Sequence, residues 1–100
     1  MESEQGIKSP VKKHQFLLFV SGMSINSSRA IENLRRICNQ YLPDDYNIEI
    51  IDISRDREDA VTHQIVGVPT LIRITPDPKR MIIGDLSNTE KVLRILDIMA

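Results

Sequence analysis

Residues 67–86, GVPTLIRITPDPKRMIIGDL, decide how the whole sequence is interpreted. Two short apolar segments, TLIRIT and MII, lie on either side of a Pro-Asp-Pro sequence. Alternating and β-branched apolar residues on both sides of a turn are typical of two paired strands. Because proline cannot donate to a sheet, we expect Pro69 at a strand start and both Pro76 and Pro78 outside any central strand.

The peptide bonds before these three prolines can each be cis or trans. Interconversion takes on the order of tens to hundreds of seconds. We therefore predict that Pro69, Pro76 and Pro78 are conformational residues, in the slowest part of the domain.

Length and composition predict one small domain. The chain has 100 residues, of which 41% are hydrophobic and 4% aromatic, with no Trp, so its core must be built from Ile, Leu and Val. A domain of this size is marginally stable unless subunits add apolar contact. The formal net charge of −1 argues against nucleic acid as a partner, since there is no basic surplus to neutralise phosphates.

The ends of the chain and its single cysteine limit the cellular compartments and the kinds of site that we expect. Residues 1–13 are polar and aperiodic and predict a flexible tail, with one domain over residues 14–100. Cys38 alone excludes an intramolecular disulfide and a Cys-rich zinc site. No apolar run approaches the roughly 20 residues that cross a membrane, and no secretory signal is visible. A soluble, cytoplasmic protein without membrane contact is the expectation.

The order of predicted elements is βαβαββα. Residues 16–20 form a continuous apolar strand, an amphipathic helix follows up to Tyr41, and residues 48–53 form a second strand. A connection of this length predicts a right-handed crossover between parallel strands. A short helix over residues 56–66 should turn Ala60, Val61 and Ile65 inward, and Ser87 should cap a last helix that extends to Met99. This is the order of a thioredoxin-like α/β fold.

The chemistry usual for that fold is absent from the sequence. A thioredoxin-like enzyme carries a thiol where the first strand meets the first helix, but residues 22–27 are GMSINS. Cys38 lies on the apolar stripe of the helix and is expected in the core. His14 and His63 lack partners at metal-ligand spacing and are expected at the surface. We therefore predict no catalytic residue, no metal site and no cofactor.

Charged residues remain as candidates for binding a partner: Arg29, Arg73, Arg80 and Asp97. Arg73 lies inside an apolar strand. Its face of the sheet is therefore either exposed to water or covered by a partner. If the face is exposed to water, the aliphatic stem of Arg73 lies along apolar surface. Coverage by a partner is an equally open alternative, since Arg is enriched at interfaces.

The sequence resembles the KaiB family of circadian-clock proteins from the first predicted strand to the last helix. The matching residues are Phe19-Val20-x-Gly22, Asn26-Ser27-x-Arg29-Ala30, Ile51-Asp52-Ile53, Pro69-Thr70-Leu71, Pro76-x-Pro78, Ile82-Ile83-Gly84-Asp85-Leu86-Ser87, Glu90-Lys91-Val92-Leu93 and Leu96-Asp97. The IIGDLS…EKVL block is specific, whereas Pro-Thr-Leu is shared with thioredoxins.

The resemblance implies a non-enzymatic regulator that binds a KaiC-type ring ATPase. It also implies fold switching between a thioredoxin-like monomer and a rearranged topology, βαββααβ, that forms a homo-oligomer, a tetramer or dimer. Glu49, Gln64 and Met81 stand where the family commonly has Lys or Arg, and Ile95 replaces a small residue. The resemblance therefore indicates a divergent bacterial member acting in timing or stress adaptation.

A second class of function stays open beside this one. A thioredoxin-like module without thiols could be a signalling adaptor that docks a histidine kinase or another partner without binding the ring. A redox protein is disfavoured because the thiol pair is missing.

Overall fold

A computed structural model describes residues 12–22, 24–55 and 57–98. The described elements, in chain order, are β1 (His14–Val20), α1 (Ile25–Tyr41), β2 (Tyr46–Asp52), α2 (Arg57–Thr62), β3 (Thr70–Thr75), β4 (Arg80–Ile83) and α3 (Thr89–Ile95). The predicted order βαβαββα is confirmed. The structure has this thioredoxin-like topology and not the rearranged alternative.

The four strands form one mixed sheet in the order β2-β1-β3-β4. β1 and β2 are parallel, as the long crossover through α1 predicts. β3 runs antiparallel to both β1 and β4. The two edge strands are therefore β2 and β4, which are separated by the buried pair β1 and β3.

One face of the sheet, here the covered face, packs against α1 and α3. Its strand side chains include Phe16, Leu18, Leu71 and Ile82, and they share one core cluster with the apolar stripe of α1. The periodic residues Ala30, Leu34, Ile37 and Cys38 are fully buried there, as their spacing predicts. The predicted interior position of Cys38 is thus confirmed.

The opposite face, here the open face, has a smaller cluster of Phe19, Ile51 and Ile72. The six residues of α2 cover only part of it. Two predictions for this region are wrong. Val61 is 76% exposed instead of facing inward, because the helix stops at Thr62. His63 lies with its ring centroid 5.5 Å from that of Phe19 instead of on a polar surface.

The last helix is shorter than its sequence pattern suggests, and its cap is one residue later. Asn88 is the N-cap and accepts from the Lys91 N–H at 3.1 Å. The helix ends because Asp97 has a φ of 58°, and the Ile98 N–H bonds the Leu93 carbonyl at 2.9 Å, a left-handed termination. The predicted extension to Met99 ends outside the described residues.

Leu86, in the loop between β4 and α3, also has a left-handed backbone, with a φ of 64°. Its side chain is nevertheless 4% exposed and belongs to the core cluster of the covered face. The loop thus turns sharply at a residue that also fills the core.

Two residues of the predicted tail contact the loop before β2. Lys12 Nζ donates to the Asp44 carbonyl at 2.6 Å, and the Lys13 N–H donates to Asp45 Oδ1 at 2.8 Å. His14, expected at the surface, is buried beside Asp45, with 3.7 Å between Nδ1 and Oδ2. The rest of the predicted tail, residues 1–11, lies outside the described residues.

The bonds before Pro69, Pro76 and Pro78 are all cis. Pro69 directly precedes β3, and the other two lie between β3 and β4, as the sequence predicts. Slow exchange at these bonds stays a prediction. In the described ranges, no helix combines the length and apolar character needed to cross a bilayer.

Candidate partner-binding surface

The junction of β1 and α1 is filled by hydroxyl groups that bond to one another. Ser24 caps α1, and its Oγ accepts from the Ser27 N–H at 3.2 Å. Ser27 is fully buried and accepts from the Ser21 N–H, also at 3.2 Å. These contacts use the hydroxyls for helix capping, so the junction is a structural connection.

Asp52, the last residue of β2, joins this junction to the next loop. Its Oδ1 accepts from the Gly22 N–H at 3.0 Å and from the Ser54 N–H and hydroxyl at 3.0 and 2.6 Å. These hydrogen bonds hold the pKa of Asp52 below its ordinary value. The carboxylate therefore holds in place the starts of the two loops that follow the parallel strands β1 and β2.

The single thiol is remote from this junction. Cys38 is fully buried near the end of α1. Burial raises its pKa to about 12, because the thiolate would lose its hydration. The thiolate is the reactive form of cysteine, so Cys38 is unreactive in the folded state.

An open groove of about 440 Å³ lies beside the junction. It is lined by Ser21, Ile53, Ser54, Arg57, Ala60 and Val61. Among the side chains that the structure describes, no group of three or more His, Cys, Asp and Glu residues is placed to hold a metal ion.

Arg73 is 2% exposed and lies on the covered face of the sheet. Its Nη1 donates to the Leu96 carbonyl at the end of α3, and its Nη2 donates to the Pro78 carbonyl at 2.8 Å. A guanidinium between two carbonyls fixes the end of the helix to the turn between β3 and β4. The face around Arg73 is therefore not exposed to water, because α3 of the same chain covers it. Contact of Arg73 with a partner stays a prediction.

The buried guanidinium has an electrostatic cost. Burial lowers the pKa of Arg73, and the positive charge of Arg80 acts in the same direction, while Asp97 opposes both. Within the described residues, Arg73 Nε is buried without a hydrogen-bond partner. Arg73, Arg80 and Asp97 therefore form one charged cluster, of which Arg80 and Asp97 are exposed.

Arg29 lies at the other end of the sheet. It is exposed on α1, and its charge helps lower the pKa of Asp85 after the hydrogen bonds from Ser87. Arg80 begins β4, whereas Asp85 lies in the loop two residues after its end, and an extended chain of that length spans up to ~17 Å. The structure therefore divides the predicted binding residues into two groups.

Two residues of α1 that the sequence did not single out connect it to the loop before α3 and to the first residue of α3. Asn33 Nδ2 donates to the Asp85 carbonyl at 2.9 Å, and Arg36 Nη2 donates to Thr89 Oγ1 at 3.3 Å. In the sequence, both residues belong only to the polar side of an amphipathic helix. That pattern does not reveal a hydrogen-bond partner more than 50 positions away.

The three positions at which the resemblance implies Lys or Arg are all exposed, but they are dispersed. Glu49 lies on the edge strand β2, Gln64 follows α2, and Met81 lies on the opposite edge strand β4. Met81 is 45% exposed, and its neighbour Ile83 is 58% exposed. At these two positions the β4 edge thus presents apolar surface.

A four-stranded sheet of this order without a thiol at the first helix defines a thioredoxin-like protein that lacks the redox centre. Solved structures agree on the fold. The N-terminal domain of Synechococcus elongatus SasA superposes with a TM-score of 0.70 at 16% identity, covering 96% of this chain and 94% of that domain. Mitochondrial thioredoxin 3 of Saccharomyces cerevisiae gives 0.69 at 16% identity, covering 87% and 80%.

Sequence comparison then identifies the family. The KaiB domain model matches residues 17–98. The circadian clock protein KaiB3 of Synechocystis is 49% identical over 82 residues, covering 82% of this chain and 80% of that protein. The circadian clock oscillator protein KaiB of Trichodesmium erythraeum is 42% identical over 92 residues, covering 91% and 88%. The chain belongs to the KaiB family, as the sequence motifs indicated.

Proposed function

We propose that this protein is a non-catalytic regulator that binds a KaiC-type ring ATPase in circadian timing or stress adaptation. The observation that carries the proposal is the family match over residues 17–98, with relatives named as circadian clock proteins at 42–49% identity. The internal use of the hydroxyls at the β1–α1 junction supports a binding role over a catalytic one.

The charged cluster at the end of the sheet supplies the proposed contact. Arg80 and Asp97 are exposed and contribute their side chains directly, and Arg29 adds a second contact at the other end of the sheet. Arg73 acts as a positioning residue, since its guanidinium holds α3 and the β3–β4 turn between which the exposed pair lies. An exposed, preorganised Arg is a frequent anchor at protein interfaces.

The test is binding of the purified chain to the cognate ring ATPase, followed for hours in each nucleotide state. We expect Arg80→Ala to weaken binding about tenfold, as a truncated interface Arg typically does. Arg35→Ala is the matched control, because Arg35 is, like Arg80, an exposed arginine, but it lies on α1 outside the charged cluster and is rotated by about 240° around that helix from Arg29.

The outcomes separate the classes of function. Absence of a complex in every nucleotide state overturns ring binding, and capture of a histidine kinase in its place favours the adaptor function. Equal loss with Arg80→Ala and Arg35→Ala contradicts the proposed surface but not the partner. Disulfide reductase activity of the purified chain would overturn the non-catalytic assignment.

A further inference from the structure

The open face of the sheet is packed at one end and retains apolar surface at the other. At the carboxyl end of β1, Phe19 is fully buried, with 5.5 Å between its ring centroid and that of His63. Toward the amino end, Leu17 and Ile74 belong to the same cluster but are only half-buried. Met81 on β4 is 45% exposed. These last three residues, here the apolar strip, cross the open face from β1 to β4.

The chain enters β1 from the same side of the sheet. Gln15 projects to the open face, since its neighbours in β1 alternate with it toward the covered face. Its Nε2 donates to the Lys12 carbonyl at 2.8 Å, so the backbone of Lys12 lies on the open-face side. The Lys13 carbonyl accepts from Thr75 Oγ1 at 3.0 Å, which ties it to β3. The residues that precede Lys12 therefore join the domain beside the apolar strip.

The sequence of residues 7–11, IKSPV, fits an extended segment with one apolar side. Pro10 fixes its own φ and biases Ser9 toward extended backbone. Alternate residues of an extended chain share a side, so Ile7 and Val11 point the same way and lie about 13 Å apart. Two strand spacings in a sheet amount to about 10 Å. The separation of these two apolar side chains therefore matches the width from β1 to β4.

The side chains beside β1 determine the direction in which the segment would cross the sheet. On β2, the open-face positions nearest the amino end are Asn47 and Glu49, both polar and exposed. On the other side, β3 and β4 present the rest of the apolar strip. Charge does not distinguish the two directions, because Lys8 would meet an exposed acid on either side, Glu49 or Asp77. Apolar contact therefore selects the direction over β3 and β4.

We propose that residues 7–11 lie across the apolar strip as an intramolecular cover, with Val11 over its β1–β3 part and Ile7 over Met81. The contact removes apolar surface of both partners from water, and the short connection to β1 holds the segment at a high effective concentration. Two apolar side chains make a contact of modest strength, so the cover is reversible. Another protein reaches this half of the open face only when the segment leaves it, which makes the segment autoinhibitory.

Paramagnetic relaxation of the NMR signals of the full chain tests the position of the segment. Because Cys38 is buried and unreactive, a nitroxide reagent reacts selectively with the thiol introduced by Gln5→Cys, two residues before Ile7. Intensities are compared before and after reduction of the nitroxide. We expect the amide signal of Met81 to lose most of its intensity, while that of Asn47, on the β2 side, keeps most of its own. A segment that does not dock would affect Asn47 at least as much as Met81.

Two substitutions in the labelled chain provide the matched comparison. Ile7→Asp should abolish the selective loss at Met81, because a carboxylate replaces the apolar side chain in the contact. Ser3→Asp adds the same charge outside residues 7–11 and should leave the selective loss unchanged.

Equal loss at Met81 and Asn47, or a greater loss at Asn47, overturns the proposal. So does a selective loss that persists in Ile7→Asp, since the segment would then be held by something other than its apolar side. Disappearance of the selective loss in both Ile7→Asp and Ser3→Asp would identify charge, and not apolar contact, as the force that holds the segment, and would overturn the proposal as well.

Discussion

The two faces of the sheet are buried by different means. The covered face packs against α1 and α3 and contains one large cluster with side chains from nearly every element. The open face has three fully packed residues and a six-residue helix over part of its area. The covered face therefore supplies the stability of the domain, whereas the open face and its edges retain apolar surface for other molecules.

Two adjacent residues of β3 allow the difference in stability between the two faces to be measured directly. Leu71 points to the covered face and Ile72 to the open face, and both are almost fully buried. We expect Leu71→Ala to lower the free energy of unfolding by about 4 kcal/mol and Ile72→Ala by about 2 kcal/mol, because the open face can relax around a cavity. Urea unfolding of both variants checks this, and equal losses would contradict the comparison.

The next largest loss of stability is expected from removing the contacts that Arg73 makes with the end of α3 and the β3–β4 turn. Arg73→Ala leaves the Leu96 and Pro78 carbonyls without their donor, and we expect a loss of about 2 kcal/mol. Arg73→Lys should lose about half as much, since one ammonium cannot reproduce the fork. The control is Arg80→Ala, an exposed Arg of the same cluster, with an expected change below about 0.5 kcal/mol.

Urea unfolding serves for this series as well. If Arg73→Ala cost no more than Arg80→Ala, the buried guanidinium would not hold α3 in place. Its role at the end of the sheet would then have to be assigned to direct contact with a partner, as the sequence first suggested.

The last expected effect concerns the burial of Cys38 in the core of the covered face, and it is confined to alkaline pH. Its folded pKa of about 12 lies above the ordinary 9.0, so its contribution to stability is complete below pH 9 and is lost as pH rises toward 12. Relative to Cys38→Ala, the wild-type chain should lose up to about 1.4 kcal/mol per pH unit in that range. Unfolding measured at several alkaline pH values checks the slope; parallel curves would show that water reaches the thiol.

The sequence predicted the features that depend on periodicity. The apolar run of β1, the stripe of α1 and the order of elements follow from spacing alone, and the family from the IIGDLS…EKVL block. Features that depend on contacts between distant residues were missed. The spacing of α2 suggested that Val61 faces inward, but the helix is too short to cover the sheet, and Asn88 rather than Ser87 caps α3.

The candidate site was predicted only in part. Sequence reasoning selected Arg73 as unusual because a charge interrupted an apolar strand, but nothing in the sequence shows that two carbonyls lie above it. Arg29 and Arg80 are both candidates by residue type, although the structure places them at opposite ends of the sheet. That separation depends on strand direction, which residue types alone do not reveal.

Leu86 illustrates a position where no amino acid satisfies every requirement. Its left-handed backbone favours glycine, at a cost of about 1–2 kcal/mol for any other residue. Its buried side chain favours leucine, since truncation in a core costs about 2–5 kcal/mol. Because losing the buried side chain costs more than the backbone conformation does, the loop keeps a conformationally disfavoured residue. Redesign for greater stability would have to move the backbone here, because substitution at this single position exchanges one penalty for a larger one.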